Sequence, residues 1–134
     1  MNRSTAAQQL MVRGQLNEAV TLLKAIVADQ TETEDERASA YHLLGTLTRI
    51  DPTFGDGDEC GLEHFKNAIR IDPQHLESLH GIVDTFGPLP CYHQDVEAAV
   101  HAASTLRSMT SLPDFVIEAL KRFEEKINRN RKVM

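Results

Sequence analysis

The chain reads as all-α, and three observations carry that expectation. Apolar residues recur three and four apart along most of the sequence, as they do on one face of a helix. Aromatic residues make up only 5% and β-branched residues never gather into alternating runs, so strands have little to build on. Helix stops and starts fall at Gly14, Asp51-Pro52, Asp72-Pro73, Gly87 to Pro90 and Leu112-Pro113, cutting the chain into segments of helical length.

Thr5-Ala6-Ala7-Gln8 has capping-box form and starts a short first helix that Gly14 ends. A second helix is expected from about Gln15 to Asp29, with Leu16, Ala19, Val20, Leu23, Ile26 and Val27 on one face. Thr31 to Arg37 crowds four acidic residues into the first turn of a third helix, where the dipole favours them. Thr31 with Glu34, or Thr33 with Glu36, supplies its capping box. That helix carries Ala38, Tyr41, Leu44, Leu47 and Thr48 and stops before Asp51-Pro52. The glycines and aspartates of residues 52–59 form a loop, and a fourth helix runs from roughly Glu59 to Ile71. Asp72-Pro73 acts as N-cap and first residue of a fifth helix reaching about Phe86. Asp95 to Met109 forms a sixth helix, and Asp114 to about Asn130 a seventh.

The middle of the chain carries a recurring pattern. Tyr41, Leu44 and Gly45 stand at aromatic-x-x-Leu-Gly spacing, and Gly61, Phe65, Ala68 and Pro73 follow as small-x₃-Phe-x₂-Ala-x₄-Pro. This resembles the tetratricopeptide repeat (TPR), a helix-turn-helix unit of about 34 residues. Tyr41 stands where the family has tryptophan, Thr48 where it has tyrosine and Gly61 where it has alanine, and the inter-helix loop is about four residues longer than the family's. The first hairpin matches through Gly14, Ala19, Leu23 and Ile26. The third matches through Leu79, Ile82, Phe86, Ala99, Ala103 and Leu106, with Val83 where glycine is expected. The resemblance implies a right-handed superhelix of about three TPR-like helical hairpins, at about 4–30, 33–72 and 73–110, plus a C-terminal capping helix at about 112–130. Physics agrees with such a stack. One hairpin cannot bury both faces, so several must lie side by side and the last needs a cover. Val116, Ala119, Leu120, Phe123 and Ile127 give the final helix a narrow stripe suited to that.

At 134 residues the chain fits one domain with a core of its own. The formal net charge is −6, unevenly spread: the segment from Glu118 onward carries +3 and the remainder −9. An acidic body argues against nucleic acid as the partner. No apolar run approaches the roughly 20 residues of a membrane span, so no membrane partner is expected. The N-terminal stretch lacks the apolar core of a secretory signal, which makes the cytoplasm the expected compartment. Cys60 and Cys91 stand apart from any CxxC and are expected as free thiols.

In the TPR family the first helix of each hairpin lines a concave groove that holds a peptide. Carried onto this sequence, the groove positions are Ser39, His42, Thr46 and Arg49, then Glu77, His80, Asp84 and Gly87. His42 and His80 lie one repeat plus the loop extension apart and are expected to face one groove, open to titration near neutrality. Glu77 and Asp84 would repel a C-terminal carboxylate and favour a ligand with basic residues. The loop Asp51 to Cys60 concentrates carboxylates beside Glu63 and His64. Counted as a calcium loop from Asp56, it puts Cys60 and Asn67 where ligands are needed, so no metal is expected. No phosphate loop, GxSxG or HExxH occurs, and neither catalysis nor a cofactor is expected. The expected function is protein–protein interaction, as adaptor, chaperone or scaffold, with another protein's segment as ligand. A homodimer through the C-terminal helix is a further expectation. The alternatives are a structural subunit of a larger complex and a metal or small-molecule regulator using the acidic loop.

Overall fold

The computed structural model describes residues 2–55, 61–86 and 95–133, without the side chains of residues 52, 55 and 130–133. Among them are seven α-helices and no strand: α1 (Arg3–Val12), α2 (Leu16–Ala28), α3 (Glu34–Ile50), α4 (Leu62–Ile71), α5 (Leu76–Val83), α6 (Val96–Arg107) and α7 (Asp114–Val133). Short 3-10 turns follow α3 at Pro52–Gly55 and α5 at Asp84–Phe86. Consecutive helices from α1 to α6 pack side by side. In addition α1 touches α3, α3 touches α5 and α5 touches α7. The odd-numbered helices thus form one layer, and α2 and α4 each wedge between two of them.

Local chemistry sets most of the boundaries. Thr33 caps α3 by accepting from the Glu36 N–H at 3.2 Å, and three acidic residues follow in the first turn. The reciprocal half of that capping box is absent, because the Glu36 carboxylate instead accepts from the Ser4 N–H at 3.1 Å. It therefore helps cap α1, which starts at Arg3 rather than at Thr5, with no cap bond from its own Asn2 side chain. Arg3 adds ion pairs to Asp29 at 3.0 Å and Glu32 at 3.1 Å, tying α1 to the α2–α3 corner. Asp95 caps α6 through the Ala98 N–H at 3.0 Å and also holds the Lys66 ammonium at 2.7 Å, joining α6 to α4.

Two further expected starts move. α4 begins at Leu62 rather than near Glu59, with Gly61 before it at φ +68°. α5 begins at Leu76, not at Pro73. Asp72 makes a turn by accepting from the Gln74 N–H through its carboxylate and from the His75 N–H through its carbonyl, both at 3.0 Å, and His75 becomes the N-cap. The break expected at residues 87–90, the loop at 56–60 and both cysteines lie outside the described residues.

Two buried clusters make the core. Ala7, Ala19, Val20, Leu23, Ile26, Ala40, Leu43, Leu44 and Leu47 form the N-terminal one. The C-terminal one gathers α4, α5, α6 and α7 around Phe65, Leu79, Ile82, Phe86 and Leu106. Val116, Ala119, Leu120 and Phe123 of α7 are buried in it with Ile127 packed at its edge, as the stripe predicts, and Phe123 meets Phe86 edge-on at 5.3 Å. The Phe65 ring of α4 packs against both α3 and α5. A Cβ on Gly45 of α3 would sit 2.6 Å from the Phe65 ring, and one on Gly81 of α5 would sit 2.9 Å from it. The ring of α4 is keyed into a notch cut from both neighbouring odd-numbered helices. Val83, where the pattern has glycine, is itself buried in the C-terminal cluster. Gly61 lies so close to the Gly45 backbone that a Cβ there would come within 2.2 Å of the Gly45 carbonyl oxygen.

Candidate functional site

The odd-numbered layer carries an apolar groove of about 660 Å³ between α1 and α3. Thr5, Gln8, Gln9, Met11 and Val12 of α1, with Arg13 just beyond its end, make one wall; His42, Leu43 and Thr46 of α3 make the other. Ala7 and Leu43 are buried, and they hold the two helices together beneath the opening. Val12 at the rim is 89% exposed, an extreme value for a valine beside an apolar depression.

His42 forms the inner edge of this groove and the outer edge of the α3–α5 junction. Its ring lies 5.9 Å from Phe65 and 5.9 Å from His75. Burial, with the neighbouring His75, pushes its pKa down to about 4, so at neutral pH it is an uncharged donor and acceptor. His75 is held by the Ser78 hydroxyl at 2.9 Å, and its other nitrogen lies 3.8 Å from Glu77. His80 meets Phe115 of α7 edge-on at 4.8 Å, and burial lowers its pKa as well.

The residues expected in one groove divide among several environments. His42 and Thr46 line the apolar groove, whose opposite wall is α1 rather than α5. Ser39 lies instead in a polar pocket with Asn2, Arg3, Ser4, Glu32 and Asp35. Arg49 and Asp84 pair at 3.1 Å and lock the end of α3 to the turn after α5. That pairing neutralises one of the two acids on which a basic ligand was expected. Glu77 is exposed beside His75, and Gly87 lies outside the described residues. Of the two histidines, only His42 lines the groove.

Sequence reasoning missed the α1 wall, His75 and Phe115. The polar face of α1, with Gln8 and Gln9 five and four residues before Arg13, is the signal that would have found the first. His75 was hidden by placing the α5 start at Pro73.

Among the described residues no group of three or more histidine, cysteine, aspartate or glutamate side chains is arranged to hold a metal ion. The loop considered for calcium lies mostly outside them. No described helix is long and apolar enough to cross a membrane. Comparison with family models, with characterised proteins and with solved structures returns no match.

Proposed function

We propose that the chain is a protein-interaction module built on TPR-like hairpins in a right-handed superhelix, and that it holds a segment of another protein in the groove between α1 and α3. The observation that carries this is the groove itself: an apolar depression walled by two helices, with Val12 exposed at its rim and uncharged hydrogen-bonding groups from Gln8, Gln9, His42 and Thr46 around it. A few apolar anchors with flanking polar groups are what recognition of a short segment requires. The superhelix is supported by the succession of contacts along the odd-numbered helices and by Phe65, at the pattern's phenylalanine position, seated against Gly45, at its glycine position, and against Gly81 of the next hairpin. An adaptor or scaffold role follows from such a groove.

The test is selection of short segments from a displayed random library on the full chain. Gln8→Trp fills the groove from an exposed position without adding charge. It should lower the affinity of selected segments at least about tenfold, or roughly 1.4 kcal/mol. Selected segments that bind this variant as well as the native chain would place recognition elsewhere.

A second reading, association of two copies through α7, is favoured by Phe115 and Ile117, which stay exposed while Val116, Ala119, Leu120 and Phe123 of the same helix are buried in the core. Light scattering after size exclusion decides it. A monomer at high concentration removes this reading.

A further inference from the structure

The charge distribution around the groove specifies its ligand more narrowly. Arg13 is the one charged side chain on the lining, since His42 is neutral there and the other seven residues carry no charge. It lies at the C-cap of α1, beside Val12 and Met11. The chain as a whole is at −6. Arg3 of α1 and Arg49 of α3 differ from Arg13: Arg3 is engaged by Asp29 and Glu32, and Arg49 by Asp84, and neither lines the groove. An exposed guanidinium at the end of an apolar groove, on an otherwise acidic protein, is complementary to a carboxylate next to an aliphatic residue. It repels a basic segment.

We infer that the α1–α3 groove takes an internal protein segment in which one or two aliphatic side chains are followed by an aspartate or glutamate that meets Arg13. This rests on the groove reading above and names the chemistry of its ligand. Val12, Met11 and Leu43 receive the aliphatic part, and Gln8, Gln9 and Thr46 are placed to bond its backbone. The acid sits at the Val12 end. A basic ligand, which Glu77 and Asp84 suggested in the sequence, loses its ground because Asp84 is already paired and Glu77 lies off this groove.

The test uses the full chain and a displayed library of short random segments placed inside a carrier protein, so that no free carboxy terminus is offered. Enrichment of segments pairing aliphatic residues with Asp or Glu is expected. Arg13→Glu should weaken those segments about tenfold at low salt and much less at high salt, as an exposed ion pair dictates. It should also shift a fresh selection toward Lys and Arg. Position 13 is exposed outside the core, so this variant keeps the fold, and its circular dichroism melt provides the control. Enriched segments without acidic residues, or acidic ones held equally by Arg13→Glu, overturn the inference while sparing the groove, provided Gln8→Trp still weakens them. If no segment is enriched, or Gln8→Trp weakens none, the groove reading falls and this inference with it.

Discussion

Phe65 is the side chain that ties α4 to both α3 and α5. Its ring is 2% exposed and meets backbone from both α3 and α5 where glycine leaves room. Phe65→Ala should cost about 3–5 kcal/mol, read from urea denaturation, since the rigid helices on either side cannot close the hole. Gly45→Ala gains up to about 1 kcal/mol of helix propensity but overpacks against the ring, at about 1–3 kcal/mol. The net expectation is destabilisation that shrinks when Phe65→Leu is combined with it, a coupling that additive sites would not show. His42 gives a second prediction at this scale. Its pKa falls from the ordinary 6.5 to about 4 on folding, so its uncharged form is favoured in the native state. The stability it contributes is full above pH 6.5 and is lost as the pH falls toward 4, by at most about 2 kcal/mol between pH 7 and pH 5. His80 shifts in the same direction and adds to the loss. Denaturation midpoints at the two pH values check this, and His42→Gln should flatten the difference.

At the scale of elements, caps and cross-helix ties fix what amphipathic faces alone leave loose. Asp95 serves α6 as N-cap and α4 as ion-pair partner, and the Lys66 ammonium beside it holds its carboxyl below the usual range. Asp95→Ala should lower stability by about 1 kcal/mol through the lost cap, whereas Lys66→Met should cost less, because that pair is partly exposed. The burial of α2 and α7 was legible in the sequence, since Ala19, Val20, Leu23 and Ile26, and Val116, Ala119, Leu120 and Phe123, repeat at helical spacing and are buried. The start of α5 was not. Asp72-Pro73 has the composition of a cap, but the Asp72 carboxylate bonds two residues onward and makes a turn, a choice that depends on how α4 delivers the chain. The partner of Glu36 was equally hidden. Capping-box chemistry points it at Thr33, while the approach of α1 offers the unsatisfied Ser4 N–H instead. The groove escaped for a related reason. Register along one helix assigns His42 and Thr46 to a face, but only the packing of α1 against α3 shows which helix stands opposite.

For the whole molecule, the arrangement is a row of helices in which each odd-numbered member rests on the next, closed at one end by α7 and open at the other along α1. The closed end uses its apolar stripe internally; the open side retains an apolar groove. That asymmetry predicts that truncating α7 after Ala119 collapses stability, because Leu120 and Phe123 leave the C-terminal cluster; under the proposed groove reading, Val12→Asp leaves the melting temperature within a degree or two and weakens bound segments. The account depends most on the stacking itself, and one measurement reaches it directly. In a ¹³C-edited nuclear Overhauser spectrum of the full chain, the Phe65 ring protons should show cross-peaks to the α-protons of both Gly45 and Gly81. Cross-peaks to neither glycine, or to only one of them, would mean that α4 is not keyed between α3 and α5, and the row of helices could not stand as described.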